Sequence, residues 1–302
     1  MRPNPMLAEL GFSPTDRVVV IHDDDVGMTE ASVAAFAELM DGGLLSAASL
    51  MVPCPWFNRA AALCRQRPDV DAGVHMTLTS EWEGLRWGPL STRDPASGLL
   101  DEQGCFPRTR PLLQQNGRPE AVRREIEAQL DRALAAGVDV THIDSHMFSV
   151  FHPDLLPLYV ELGRERKLPA IITTDGEMPC QWFVPGAEDR ARDIVRGCRA
   201  LDLPLMDGQC MLILDDKEEP LAKARRAFDE LQPGITYMVI HPAKDTPELR
   251  AMTPNWPHRV REYETFMNPE LRRHVEESGV KVMGCRPLRD FMRRSGQEAA
   301  RP

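Results

Sequence analysis

Short apolar runs, too brief for helices, alternate along this chain with longer segments whose apolar positions recur every three or four residues. Residues 17–21 (RVVVI) form the first run and predict a buried strand. Thr29 then stands where a helix N-cap belongs, ahead of apolar Val33, Phe36, Ala37 and Met40, and Asp41-Gly42-Gly43 supplies the stop. Strand 47–52, helix 57–67 (ended by Pro68) and strand 72–77 continue the pattern. It resumes after residue 117 with helix 119–136, strand 140–144, helix 153–166 and strand 170–173. A helix near 189–200, a weak strand near Leu205, helix 218–231, strand 236–241, helix 269–278, strand 280–284 and helix 288–294 complete it.

Strands that alternate with helices imply a parallel sheet. Seven or eight such units predict an α/β protein built as one distorted TIM-like (β/α) barrel of about seven strands, closed or nearly closed. With no linker, repeat or change of composition, residues 1–302 read as one domain with its core at about 17–294 and frayed ends at 1–5 and 295–302. Residues 81–117, rich in Trp, Gly and Pro, interrupt the alternation and are long for a connection. Loops of that length are usually lids or binding segments.

The polar residues fall at strand ends. Asp23-Asp24-Asp25 follows the first strand, His75 ends the third, Asp144 and His146 end the fourth, and His241 ends the strand at 236–241. Barrel active sites lie at the carboxyl ends of their strands. An isolated acidic triplet is more often a solvated turn, and an isolated histidine in a strand more often a hydrogen-bonded core residue. Together, an aspartate and two neutral imidazoles from separate strands make an open Asp/His/His set that can hold Zn²⁺ or a similar divalent ion and leave room for water and substrate. Asp144, two residues before His146, can orient a ligand by hydrogen bonding. His241-Pro242 offers a general acid for an amine leaving group. His22, His142, His152, His258 and His274 offer less, His142 as either a strand-facing residue or one that supports a ligand from behind. Trp82, Trp87 and Trp256 are either stacking walls for a sugar ring or loop anchors.

Composition narrows the partners. A net charge of −10 and 27% charged residues disfavour nucleic acid and anionic membrane surfaces. The seven cysteines are scattered without a C-x-x-C pair, which argues against a disulfide framework or a thiolate zinc site. No leader and no membrane-length apolar run are apparent, so the expected location is cytoplasmic, with a homodimer possible.

These motifs jointly resemble the YdjC-like carbohydrate deacetylase family, which includes diacetylchitobiose deacetylases. The family's A-D-D-x-G, G-x-H-x-x-L-T, T-H-x-D-S-H and H-P segments are matched by residues 23–27 (DDDVG), 73–79 (GVHMTLT), 141–146 (THIDSH) and His241-Pro242. Its R-x-x-E segment is matched by residues 261–264. The resemblance spans about residues 17–290 and implies deacetylation of an N-acetylated amino sugar or oligosaccharide. By position it implies that Asp25, His75 and His146 hold one divalent ion, Zn²⁺ or Mg²⁺. It also makes Asp24 the general base and His241 the acid, with Trp82, Trp87 and Arg261 as candidate carbohydrate contacts. Asp23 and Val26 depart from the family's usual Ala and Phe. Phe148 stands where members carry a further histidine, and the 81–117 loop belongs to a subgroup; these differences bear on the substrate pocket.

Three other classes remain. A glycosidase needs two carboxylates, Asp24 with Glu81 or Asp144, but leaves His75 and His146 without a role. A metal-dependent hydrolase of another amide or of a phosphoester fits the same ligand types. A non-catalytic sugar-binding protein would keep the tryptophans but has no use for Asp24 beside Asp25.

Overall fold

The computed structural model describes residues 4–173, 188–201, 203–215 and 217–298. Seven parallel strands form one sheet: β1 (Arg17–Val26), β2 (Ala47–Leu50), β3 (Ala72–Met76), β4 (Val140–Ser145), β5 (Gly208–Met211), β6 (Gly234–Ile240) and β7 (Lys281–Val282). The order is β4-β3-β2-β1-β6-β5, with β7 paired to the start of β1. The expected strand 170–173 is reduced to two isolated bridges, Ile143 to Ala170 and Thr173 to Met206, which link the β4 edge to the approach to β5. The α/β class with a parallel sheet is what the alternating pattern predicted.

The helices are α1 (Pro5–Glu9), α2 (Glu30–Gly42), α3 (Phe57–Gln66), α4 (Arg110–Asn116), α5 (Pro119–Ala135), α6 (Leu156–Arg166), α7 (Glu188–Ala200), α8 (Pro220–Asp229), α9 (Pro247–Met252), α10 (Trp256–Met267), α11 (Pro269–Ser278) and α12 (Arg286–Glu298). Thr29 caps α2 as expected, its side chain accepting from the Ser32 N–H while the Ser32 Oγ accepts from the Thr29 N–H. That face buries Val33, Phe36 and Leu39. Removing Phe36 alone from water is worth about 2–3 kcal/mol.

Four expectations need correcting. The acidic triplet does not follow the first strand but lies inside it, because β6 pairs with β1 as far as Asp23 opposite Ile240. Asn4, expected in a frayed end, caps α1 and hydrogen-bonds Leu205 O and Asp207, which seats Met6 and Leu7 in the core. α12 runs on to Glu298, past the expected stop at Arg294. Helix α10 was not anticipated: its buried apolar positions Val260 and Phe266 are sparse among charged residues. The 81–117 segment is irregular apart from a 3₁₀ turn (Pro95–Ser97) and α4. It is not loose, since Leu99, Phe106 and Leu113 are fully buried in the main core. No helix of the described residues is long and apolar enough to cross a membrane.

Candidate active site

The carboxyl ends of β1, β3, β4 and β6 meet in a cleft of about 300 Å³, lined by Asp24, Asp25, His75, His146, Asp144 and His241 among others. Residues pointing to alternate sides of a strand would separate Asp24 from Asp25. Instead Asp25 adopts a left-handed backbone (φ +66°), and the ladder to β2 shifts register between Asp23 and Val26. That local irregularity brings both carboxyl groups to the cleft, at a strain of about 1–3 kcal/mol.

Asp25, His75 and His146 each offer a ligand atom within 4.8 Å of the others, and all three are buried. Asp25 Oδ1 lies 3.1 Å from His146 Nδ1 and 3.5 Å from His75 Nε2, with no hydrogen bond of acceptable geometry. A buried carboxylate oxygen facing two imidazole nitrogens in this way suits a divalent cation. Each imidazole is oriented from behind. His75 Nδ1 lies 2.8 Å from Asp144 Oδ2, an oxygen that also accepts from Ser49 and Tyr237. His75 therefore carries a proton on Nδ1, and its Nε2 is the nitrogen turned to Asp25. His146 Nε2 is held by Glu81 at 3.0 Å.

Electrostatics point the same way. Burial would raise the Asp25 carboxyl, but Arg259 and the two histidines hold it well below the usual range. Burial would depress His146, yet Glu81 and Asp25 keep it up at about 9. The carboxylates around His75 likewise outweigh its burial and raise it. A pocket that so favours positive charge on its histidines is one in which a cation can take the place of those protons.

Asp24 Oδ2 faces the cleft, 3.6 Å from His75 Nε2 and 4.0 Å from His241 Nε2. Burial lowers His241, whose backbone N–H is fixed by Glu262 Oε2 at 2.6 Å. The structure thus brings together Asp24, Asp25, His75, His146, Asp144 and His241. Of the tryptophans, Trp82 lines the cleft, whereas Trp87 is buried, donates its indole N–H to Thr79 O and packs edge-on to His146. Trp256 lies under the Arg250 guanidinium outside the cleft.

Arg261 is not among the cleft residues; Arg259 is. The arginine and glutamate three apart that face the site are Arg259 and Glu262, two residues before the pair picked from the sequence. Arg259 Nη2 lies 2.7 Å from Asp25 Oδ2, and its guanidinium stands 5.2 Å from the Trp82 ring centroid. Two arginines two residues apart lie about 200° apart around a helix, so only one can face the sheet. Sequence reasoning also passed over His22, which bonds Asp24, and saw Glu81 only as a possible glycosidase carboxylate. Neither carried a periodic signal: Glu81 meets His146 65 positions along the chain, and His22 is held by His142 120 positions away.

Comparison with known proteins gives the family. A family profile described as YdjC-like protein matches residues 18–277. A carbohydrate deacetylase of Thermus thermophilus is 33% identical over 278 residues, covering 90% of this chain and 94% of that protein. One of Geobacillus stearothermophilus is 28% identical over 273 residues, 89% and 97% of the two chains. The fold is similar to a solved structure from Enterococcus faecalis, named for cellobiose-phosphate cleavage, with a TM-score of 0.75 and 23% identity over 91% of this chain and 99% of that one. With its motifs, fold and relatives in agreement, this chain belongs to the YdjC-like protein family.

Proposed function

We propose that this chain is a metal-dependent hydrolase that removes the acetyl group from an N-acetylated amino sugar or oligosaccharide, with Asp25, His75 and His146 holding one divalent ion, Zn²⁺ or Mg²⁺. The observation that carries the reading is the bare, buried Asp25 Oδ1 facing two oriented imidazoles, with Asp24 and His241 beside them. The names of the deacetylase relatives support the choice of bond.

A divalent ion bound there supplies the charge that polarises an acetamide carbonyl and makes water acidic enough to attack it. The chain's own residues do the rest. Asp24 takes the proton of the attacking water through Oδ2, the oxygen turned to the cleft. His241, fixed through its backbone by Glu262, gives a proton to the departing amine. Arg259 holds Asp25 by its other oxygen, so that Oδ1 stays directed at the imidazoles. Trp82, backed by Arg259, offers a ring face for the sugar. Glycoside hydrolysis fits less well, because Asp144 and Glu81 are engaged on His75 and His146 and do not flank an open bond site.

Acetate release from a panel of N-acetylated mono- and oligosaccharides, with chelator and metal add-back, tests this. Release that stops with chelator and returns with metal is expected. No acetate from protein shown to contain metal would overturn it and move the assignment to another acyl group or a phosphoester. The protein is placed in the cytoplasm, as a monomer or homodimer without nucleic-acid or membrane partners, on the strength of its sequence alone.

A further inference from the structure

Behind the cleft a file of buried polar groups leads away from Asp24 through the interior of the sheet. His22 Nδ1 lies 2.6 Å from Asp24 Oδ1, and His22 Nε2 lies 2.8 Å from His142 Nε2. His142 Nδ1 lies 2.9 Å from Thr141 Oγ1, whose hydroxyl donates a short bond to Asp71 Oδ1. Asp71 Oδ2 accepts from the Arg286 backbone N–H at 2.6 Å. Asp71 immediately precedes β3 and Thr141 lies at the start of β4, so the file ends at the rim opposite the metal ligands. His22, Thr141 and His142 are fully buried, and the Asp71 side chain is 9% exposed.

Counting protons along the file fixes its direction. The carboxylate of Asp71 only accepts, so the single Thr141 proton goes to it and Thr141 Oγ1 accepts from His142 Nδ1–H. Burial, then His22, hold His142 down at about 3, so its ring is neutral and its Nε2 is a bare acceptor. His22 must then donate from Nε2. At 2.6 Å the remaining contact, His22 Nδ1 to Asp24 Oδ1, cannot set a lone pair against a carboxylate oxygen, so it holds a proton of its own. Gly73 gives independent evidence that the arrangement is built in: a Cβ there would lie 2.5 Å from His142 Nε2, so glycine leaves the space the ring occupies.

We propose that His22, set by His142, Thr141 and Asp71, is the positioning residue for Asp24. It keeps a proton on their shared contact and leaves Asp24 Oδ2 as the oxygen presented to substrate. The proposal rests on the role given to Asp24 above. Asp71, His142 and Cys285 also lie close enough to hold an ion. Both nitrogens of His142 and both oxygens of Asp71 already have partners, however, so this end anchors the file rather than a metal.

The test begins with imidazole nitrogen spectra of the full, metal-free chain carrying ¹⁵N-histidine. His142 is expected as the Nδ1–H tautomer. An Nε2–H His142 in the parent overturns the proposal. In kinetics, His22→Leu should lower kcat about tenfold to a hundredfold with KM little changed. His22→Gln, which can still donate to Asp24, should recover part of the loss. A folded His22→Leu with parental kcat overturns the proposal. Should His22→Leu not fold, Gly73→Ala, which displaces His142, is expected to give the same kcat loss. A parent that releases no acetate defeats the deacetylase reading alone, because the spectra still decide the file.

Discussion

Replacing Arg259 by methionine isolates what holds Asp25 in place. Arg259 Nη2 is 2.7 Å from Asp25 Oδ2, and the side chains are only 13% and 3% exposed. Methionine keeps most of the stem but leaves a buried carboxylate without its cation, which costs about 3–5 kcal/mol when one partner of a buried pair is removed. Loss of the guanidinium over Trp82 adds roughly 0.5–1 kcal/mol. At about 2 °C per kcal/mol for a chain of this size, the metal-free variant should melt roughly 7–12 °C below the parent. A divalent ion on Asp25 supplies the missing charge, so saturating Zn²⁺ or Mg²⁺ should raise the melting temperature of Arg259→Met more than that of the parent. Calorimetry of both proteins, with and without ion, reads all four values. A metal-free variant that melts with the parent, or an equal ion-induced rise in the two, would refute the reasoning that the pair is buried and mutually dependent.

Other perturbations separate the remaining roles. Asp24→Asn should retain bound metal by elemental analysis and lose turnover about a hundredfold or more, whereas His75→Ala should lose metal and activity together; wild-type turnover in Asp24→Asn removes it as the base. Burial pushes the Glu262 carboxyl up to about 7 from an ordinary 4.5. Since the folded value is the higher, its stabilising proton is fully present below about 4.5 and is lost as pH rises toward 7, at no more than about 1.4 kcal/mol per pH unit. Glu262→Gln keeps an acceptor for the His241 N–H, so urea titrations should show it gaining about 3 kcal/mol on the parent across that window; parallel curves would exclude the shift. Trp82→Ala should raise KM about fivefold or more with little change in melting temperature, corresponding to roughly 1 kcal/mol of stacking. Trp87→Ala should destabilise by about 3–5 kcal/mol, because its ring is buried. The reverse pattern in the two tryptophan variants would exchange their roles.

Period and position along the chain were sufficient for the class of fold and for most of the chemistry. Apolar runs of four to six residues spaced by amphipathic helices can bury their surfaces only as a parallel sheet with helical cover, and Asp24, Asp25, His75, His146 and His241 each sit at the end of such a run. What tertiary structure alone decided were contacts between residues remote in sequence. Arg259 reaches Asp25 across 234 positions, His22 meets His142 across 120, and Glu81 meets His146 across 65. Strand register and the rotation of α10 set these pairings, and neither leaves a periodic trace. The left-handed turn at Asp25 is of the same kind, since any aspartate could have kept the strand regular and faced away from its neighbour. The same limit explains the tryptophans: Trp82 and Trp87 share one loop and one residue type, and only the path of that loop over the core makes the first a wall of the cleft and the second part of the interior.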